Sequence, residues 1–300
     1  MRRRITVPLS VPLLVPLLVA LLLPSGCSRE PSVVGAFGAR PTVVLPDRPP
    51  AGSQVAELVE GTGEPVGADD VAVVQYTAYG RGERPAGSTF TRGTPSALAV
   101  RELPVALGRA LMGHRVGSRV TAVVPADGRR EGGSGDADGR GNAAAPGFYV
   151  VDILGVHRRG ASVGSQGGRL AGVRVGGGPD PEVSVPAGAP PGRFAAKVVT
   201  RGRGRATRAG QLVVVQYAGL VWGRRRVFDS TWQDGVPRAF KLGDGTMIGA
   251  WEAALAGVPV GSRVAMVVPP SHGYGSAGFP AYGIRPSDTL VYVVDVLAAY

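Results

Sequence analysis

The sequence predicts an α+β protein made of two copies of one domain, each an antiparallel sheet curled over a single short helix. Three observations carry this. Near the C-terminus, apolar residues alternate with a period of two in several runs, as in strands with one buried face. Among them one stretch, Ile248 to Ala256, has helical spacing. The strand signatures then recur upstream at offsets that stay between 140 and 144 residues, which means a duplicated domain rather than a solenoid. A length of 300 residues suits about two domains of ~100–200 residues each. The 47 glycines and 26 prolines fit turn-rich β structure.

Residues 1–26 read as an export signal. Arg2-Arg3-Arg4 is a charged start, Ile5 to Leu23 an apolar run and Ser25-Gly26 a small-residue close. A permanent transmembrane helix competes, since the run approaches the ~20 residues a span needs. Pro8, Pro12 and Pro16 argue against an uninterrupted helix. Cys27 is the single cysteine, so the chain forms no internal disulfide. Its place after small residues resembles a bacterial lipoprotein box, in which the thiol takes a diacylglycerol and becomes the first residue of the mature chain. Pro24 stands where that box usually has leucine. Acyl chains anchor a protein at ~0.8 kcal/mol per buried methylene. Residues 27–40 then form a tether, 41–157 the first domain, 158–180 a Gly-rich flexible linker and 181–300 the second domain.

In the second domain, Leu212 to Tyr217 is a strand with Val213, Val215 and Tyr217 on one face. Arg263 to Val268 is another, with Val264, Met266 and Val268 inward. Leu290 to Leu297 turns Leu290, Tyr292, Val294 and Val296 to one face and Asp295 outward. The helix carries Ile248, Trp251 and Leu255 on one apolar face. Gly257 follows it, where a left-handed residue closes a helix well.

Seven blocks stand in order along this half: Val213 to Tyr217, Phe228-Asp229-Ser230, Phe240 to Gly243, Met247-Ile248-Gly249-Ala250-Trp251, Val260 to Arg263, Pro269 to Gly275 and Thr289 to Asp295. Their order and spacing resemble the FKBP-type peptidyl-prolyl cis-trans isomerases. The first half answers with Val73 to Tyr76, Val116 to Val120 and Tyr149 to Asp152. The resemblance implies two FKBP-like domains, each a twisted sheet wrapped around one helix, and an enzyme that isomerises X-Pro bonds without a cofactor.

On the family's pattern, Trp251 would floor a pocket beneath the proline ring, with Tyr217, Phe228, Met247, Ile248 and Tyr292 around it and Ile284 completing the rim. The Ile248 N–H and the Tyr274 hydroxyl would each hold a substrate carbonyl. Asp229 would set the polarity beside the twisting bond. Asp229, Tyr274 and Trp251 are thus the catalytic candidates. Taken singly, Trp251, Tyr217 and Tyr292 would be core residues and Asp229 a turn residue; Tyr274, between two glycines, is hardest to explain that way. Arg238 departs from the family's usual aromatic, Phe279 replaces a residue often histidine and Tyr282 sits in an insertion. Trp232 and Phe279 are expected to restore aromatic wall.

The first domain departs further. Leu107 falls at the tryptophan position, and Thr91 follows Phe90 where Asp229 follows Phe228. The loop between Pro125 and Phe148 has no tyrosine. With Tyr76 and Phe90 as the clear survivors, a retained fold with little or no activity is expected.

Other chemistry finds little support. His114, His157 and His272 are scattered, without metal-ligand spacing. Gly160-Ala161-Ser162-Val163-Gly164 has the form of a nucleophile elbow but lies in the Gly-rich stretch. The formal charge is +11, or +8 without residues 1–26, which carry three arginines and no acid. Arg201 to Arg205 and Arg224 to Arg226 fall in loops and read as solvated charge rather than a nucleic-acid surface. The expectation is a monomeric lipoprotein on the outer face of the bacterial membrane that acts on proline-containing segments of exported proteins. The alternative is a binding or chaperone module that grips chain in the same groove.

Overall fold

The computed structural model describes residues 31–46, 52–80, 85–124, 147–164, 166–224 and 226–300. In the first half the elements are β1 (Ser32–Val34), β2 (Thr42–Val44), β3 (Gln54–Val59), β4 (Val71–Tyr79), β5 (Pro85–Ser88), α1 (Thr89–Arg92), β6 (Ser96–Ala99), α2 (Val105–Leu111), β7 (Arg119–Val124) and β8 (Gly147–His157). The second half follows with β9 (Gly168–Leu170), β10 (Val173–Val175), β11 (Val183–Ser184), β12 (Ala195–Thr200), β13 (Leu212–Val221), β14 (Arg226–Ser230), β15 (Arg238–Lys241), α3 (Gly249–Leu255), β16 (Arg263–Val268) and β17 (Leu290–Ala299).

The main sheets have one topology, β3-β7-β8-β4-β5 in the first half and β12-β16-β17-β13-β14 in the second. All pairs are antiparallel, and β6 and β15 extend the β4 and β13 edges. One face of each sheet closes over its helix. In the second half that core holds Val213, Val215, Trp251, Leu255, Met266 and Val294. The fold is thus sheet-rich with few helices, as the alternation predicts.

The opposite faces are covered too, which the sequence reading missed. Residues 158–180 do not behave as a flexible linker, and the tether expected over 27–40 gives way from residue 32 to a hairpin. β9, β10 and β11 form a three-stranded sheet that buries Val173 and Val175 against Ala218, Leu220, Val267 and Val293. The hairpin β1-β2 does the same in the first half, laying Val33 and Val43 on Tyr79, Phe148 and Val150.

A buried ion pair sits under each cover. Asp295, expected outward, is 0 % exposed. Its carboxylate accepts from Arg263 Nε at 2.6 Å, Arg263 Nη2 at 2.8 Å and the Val163 N–H at 3.0 Å, and the Ser162 hydroxyl lies 2.7 Å away. Ser162 is therefore part of a structural clamp, not a nucleophile. In the first half Arg119 pairs with Asp152 at 2.5 and 2.7 Å, Gly38 N–H donates to the same carboxylate and the Gly35 and Ala39 carbonyls accept from two more of the guanidinium donors. Strand alternation predicts which face a side chain takes, but not whether another layer covers that face.

The two halves meet through equivalent faces. Val73, Ala97 and Leu154 lie against Val214, Ala239 and Leu297, their counterparts in the repeat. His157 Nε2 sits 2.9 Å from the hydroxyl of Tyr300, which holds the same place in the other copy. A Cβ on Gly155 would lie 1.7 Å from that hydroxyl, so a larger residue there would displace the Tyr300 ring. Burial pushes the Tyr300 phenol up to about 12, so it stays protonated and shares a hydrogen bond with His157. Burial also lowers His157 from its ordinary value of 6.5, against a smaller opposing effect of Asp70. A histidine depressed in the fold contributes its full stability above its unfolded value and loses it as pH falls through the folded one. The unfolding midpoint should therefore fall as pH drops below the ordinary value of 6.5, and fall less in His157→Gln. Parallel urea titrations of the two proteins check this.

Candidate functional site

The site forms where α3, β13, β14, β15 and the loop after β16 converge. Ile248 precedes α3, and Trp251 closes the first turn by donating its N–H to the Ile248 carbonyl at 2.9 Å. That turn points the indole into the concave face of the sheet, where it is 1 % exposed. Three rings meet it edge-on: Tyr217 at 5.1 Å, Phe240 at 5.2 Å and Tyr292 at 5.4 Å. Such T-shaped contacts match the positive edge of one ring to the face of another, worth about 0.5–1.5 kcal/mol each beyond burial.

A second tier continues outward. Phe228 stands edge-on to Tyr292 at 5.7 Å and to Tyr282 at 6.0 Å. Tyr282 lies 5.0 Å from Phe279, which stacks on Tyr274 at 5.0 Å and 9°. Met247 and Ile248 pack against the same cluster from the start of the helix. Ile284, expected at the rim, is 3 % exposed and belongs to the core; its N–H donates to the Phe279 carbonyl at 3.0 Å, pinning the base of the loop.

One carboxylate reaches this apolar wall. The Tyr217 hydroxyl donates to Asp229 Oδ2. Burial, then that hydrogen bond, holds the Tyr217 phenol far above its usual range, so it remains a donor. Tyr292 and Tyr274 are raised as well, chiefly by burial. Among the described residues, no three His, Cys, Asp or Glu side chains group as a metal site. What the arrangement offers is a closely packed aromatic cluster, the cup of the second repeat, with one carboxylate held by the Tyr217 phenol.

Gly219 is a site residue that sequence reasoning missed. Opposite Asp229 on β13, it lets two rings meet: a Cβ there would come 2.5 Å from Phe228 and 2.9 Å from Tyr292. Only its position between two aromatic blocks hinted at this. Gly219→Ala should push Phe228 outward, costing about 1–3 kcal/mol as overpacking does. It should also reduce turnover by about tenfold, within the range of small misplacements. Steady-state rates at matched folded fraction check it.

Two expectations are corrected. Trp232 does not line the cup; it packs on the opposite face of the sheet, with Arg263 over its ring at 5.9 Å. Phe90 is not the counterpart of Phe228. Tyr76 N–H donates to Thr89 Oγ1 as Tyr217 N–H donates to Thr231 Oγ1. That equates Thr89 with Thr231, and β5 then sets Gly87 opposite Ala78 as β14 sets Asp229 opposite Gly219. The connection from Tyr76 to Thr89 is one residue shorter than that from Tyr217 to Thr231, which disguised this register. Among the described residues the first cup therefore keeps Tyr76 and Tyr149 and has Gly87 at the carboxylate's place. Leu107 in place of the indole leaves an apolar cavity of about 20 Å³ among Val74, Tyr76, Leu98, Leu103, Leu111 and Tyr149.

Residues 204–297 match the family model of the FKBP-type peptidyl-prolyl cis-trans isomerases. A Streptomyces anulatus FK506-binding protein is 37% identical over 118 residues, 39% of this chain and 95% of that protein. The isomerase FkpA of Escherichia coli is 39% identical over 102 residues, 34% of this chain and 36% of that longer protein. The crystal structure of FkpA from Escherichia coli aligns over 35% of this chain and 47% of that one, with 36% identity and a TM-score of 0.32. The chain belongs to the FKBP-type peptidyl-prolyl cis-trans isomerase family and is an enzyme of that class, with proline-containing polypeptides as its substrates.

Proposed function

We propose that isomerisation takes place in the second repeat, in the cup floored by Trp251. An X-Pro bond is held flat by resonance behind a barrier of ~18–20 kcal/mol and exchanges over ~10–100 s unaided. Twisting the bond strips amide resonance and reduces the charge on its carbonyl oxygen. A site without water therefore suits the twisted state better than the planar one, and only that difference speeds the step. In this reading Asp229, fixed by Tyr217, lies beside the twisting bond. Tyr274 and the Ile248 N–H hold flanking carbonyls, and Phe228, Met247 and Tyr292 confine the prolyl ring. The unliganded indole is almost covered, so the ring reaches it by displacing rim side chains; Tyr282, 39% exposed, has the room to move.

The observation that carries the proposal is the asymmetry of the repeats. Carboxylate, indole and second tier of rings occur together in one cup only among the described residues. A proline-limited refolding assay tests it. Asp229→Ala should slow catalysis about tenfold or more and Tyr274→Phe by less, following the loss of one oriented group each. Rates unchanged in both variants would remove these residues from the mechanism. A wild-type protein that binds unfolded chain without accelerating it would favour the chaperone alternative.

The natural substrates we propose are exported proteins, with this chain a monomer held at the outer face of the membrane by a lipid on Cys27. Cys27 and the whole export signal lie outside the described residues. The support is the order of charged, apolar and small residues before that cysteine. Among the described residues no helix is long and apolar enough to cross a membrane. The mass of the native N-terminal peptide tests the anchor: a diacylglyceryl thioether on Cys27 supports it, and a free thiol contradicts it.

A further inference from the structure

The two cover layers turn opposite surfaces outward. In the second repeat Arg174 lies between Arg169 and Ser184 in the β9–β11 sheet, and all three are exposed. Facing partners share one side of a sheet, so the outer side of that layer is polar and basic. In the first repeat the hairpin pairs Ser32 with Val44 and Val34 with Thr42 on its outer side, while Val33 and Val43 pack on the sheet beneath. Val34 is 67% exposed and Val44 66%. Phe37, in the turn between the strands, is exposed as well. The hairpin is firmly mounted: the Gly35 and Ala39 carbonyls accept from Arg119, and the Gly38 N–H donates to Asp152. Its bare apolar side is a fixed surface.

Its place in the chain indicates what covers it. Four residues separate Cys27 from Ser32. At ~3.3–3.6 Å per residue, the five steps between them span at most ~18 Å. A lipid on Cys27 would hold the hairpin within that distance of the membrane surface. Residues 31–46 contain no aspartate or glutamate, and Arg40, which is exposed, is their one charged residue. Anionic headgroups attract such a segment. The second cover layer, far from Cys27 along the chain, has arginines where the hairpin has valines.

We propose that the outer side of the β1–β2 hairpin, with Val34, Val44 and Phe37, seats on the bilayer to which Cys27 is attached. This rests on the lipid anchor proposed above. Apolar side chains of this kind enter the boundary between headgroups and acyl chains, and Arg40 beside them suits lipid phosphate. The first repeat thereby gains a task that needs no catalytic residue: it fixes which side of the protein meets the membrane.

The chain from Cys27 to Tyr300 tests it. Its single cysteine couples to maleimide-phosphatidylethanolamine in vesicles of phosphatidylethanolamine and phosphatidylglycerol, which supplies the tether whatever the native N-terminus carries. The three native tryptophans, Trp222, Trp232 and Trp251, all lie in the second repeat, so Val44→Trp adds an indole to the first. Brominated acyl chains should quench the added emission about twofold, as for a side chain at the headgroup–acyl boundary. Val105→Trp is the comparison. Val105 is 47% exposed on α2, which packs on the other side of the sheet from the hairpin, and its replacement should give emission that bromine leaves unchanged. Val34→Asp added to Val44→Trp should lower the quenching; both positions are exposed, so neither change empties the core. Absence of added quenching in Val44→Trp overturns the proposal, as it would if a second copy or another protein covered this face. Equal quenching in Val105→Trp, or quenching unchanged by Val34→Asp, overturns it too. A free thiol on the native Cys27 would overturn the anchor instead, while the coupled chain still decides the hairpin.

Discussion

Asp295→Ala should cost the fold about 3–5 kcal/mol, because it leaves the Arg263 guanidinium buried without a counter-charge. Both partners are 0 % exposed, so water cannot step in for the lost carboxylate. The change also releases the Val163 N–H and the Ser162 hydroxyl that tie residues 158–180 to the sheet. β9–β11 should then loosen with the ion pair. Urea unfolding of the full chain measures the first effect, and hydrogen exchange at Val173 and Val175 the second. Asp234→Ala is the control. It breaks the Arg238 pair, whose side chains are 52% and 40% exposed, and exposed pairs contribute about 0–1 kcal/mol. Equal losses in the two variants would mean that the buried clamp is not what holds the second layer.

The second large effect is expected at the indole. Trp251→Ala should lower stability by about 3–5 kcal/mol, the range for emptying a buried aromatic site. It should also abolish measurable isomerisation, since Tyr217, Phe240 and Tyr292 lose the surface against which all three are set. Leu107→Ala in the first repeat separates these two consequences. It should cost about 2–5 kcal/mol by the same cavity mechanism and leave isomerisation intact, because that helix faces a cup with Gly87 at the carboxylate's place. Rates corrected for the folded fraction, set beside urea midpoints, give both numbers from the same preparations.

Much of the second repeat was legible in the residues. Strict alternation placed β16 at Arg263–Val268 and found the cores of β13 and β17. The alanine-rich 3.6-residue spacing located α3 to within a residue at each end. The aromatic positions converge because period two and helical phase both aimed them at one concave face. What escaped depends on the third dimension. Asp295 looked outward because nothing in the strand itself announces β9–β11. Residues 158–180 looked flexible because glycine dilutes the signal, although Val163, Val173 and Val175 are each under 8% exposed. Phe90 was misregistered because Phe-Thr mimics Phe-Asp, and only the Thr89 hydrogen bond to β4 sets the true frame. Gly219 has no side chain to advertise its role.

The central claim is that one cup, in the second repeat, does the chemistry. Exchange spectroscopy on an X-Pro tetrapeptide, with cis and trans signals resolved, measures the catalysed rate directly. The decisive sample is the full chain carrying Asp229→Gly and Trp251→Leu, the residues that the first repeat has at those places, with the first repeat untouched. The account predicts cis–trans exchange at the uncatalysed rate from that folded protein and fast exchange from the wild type. Fast exchange from both would place catalysis elsewhere in the chain and contradict it.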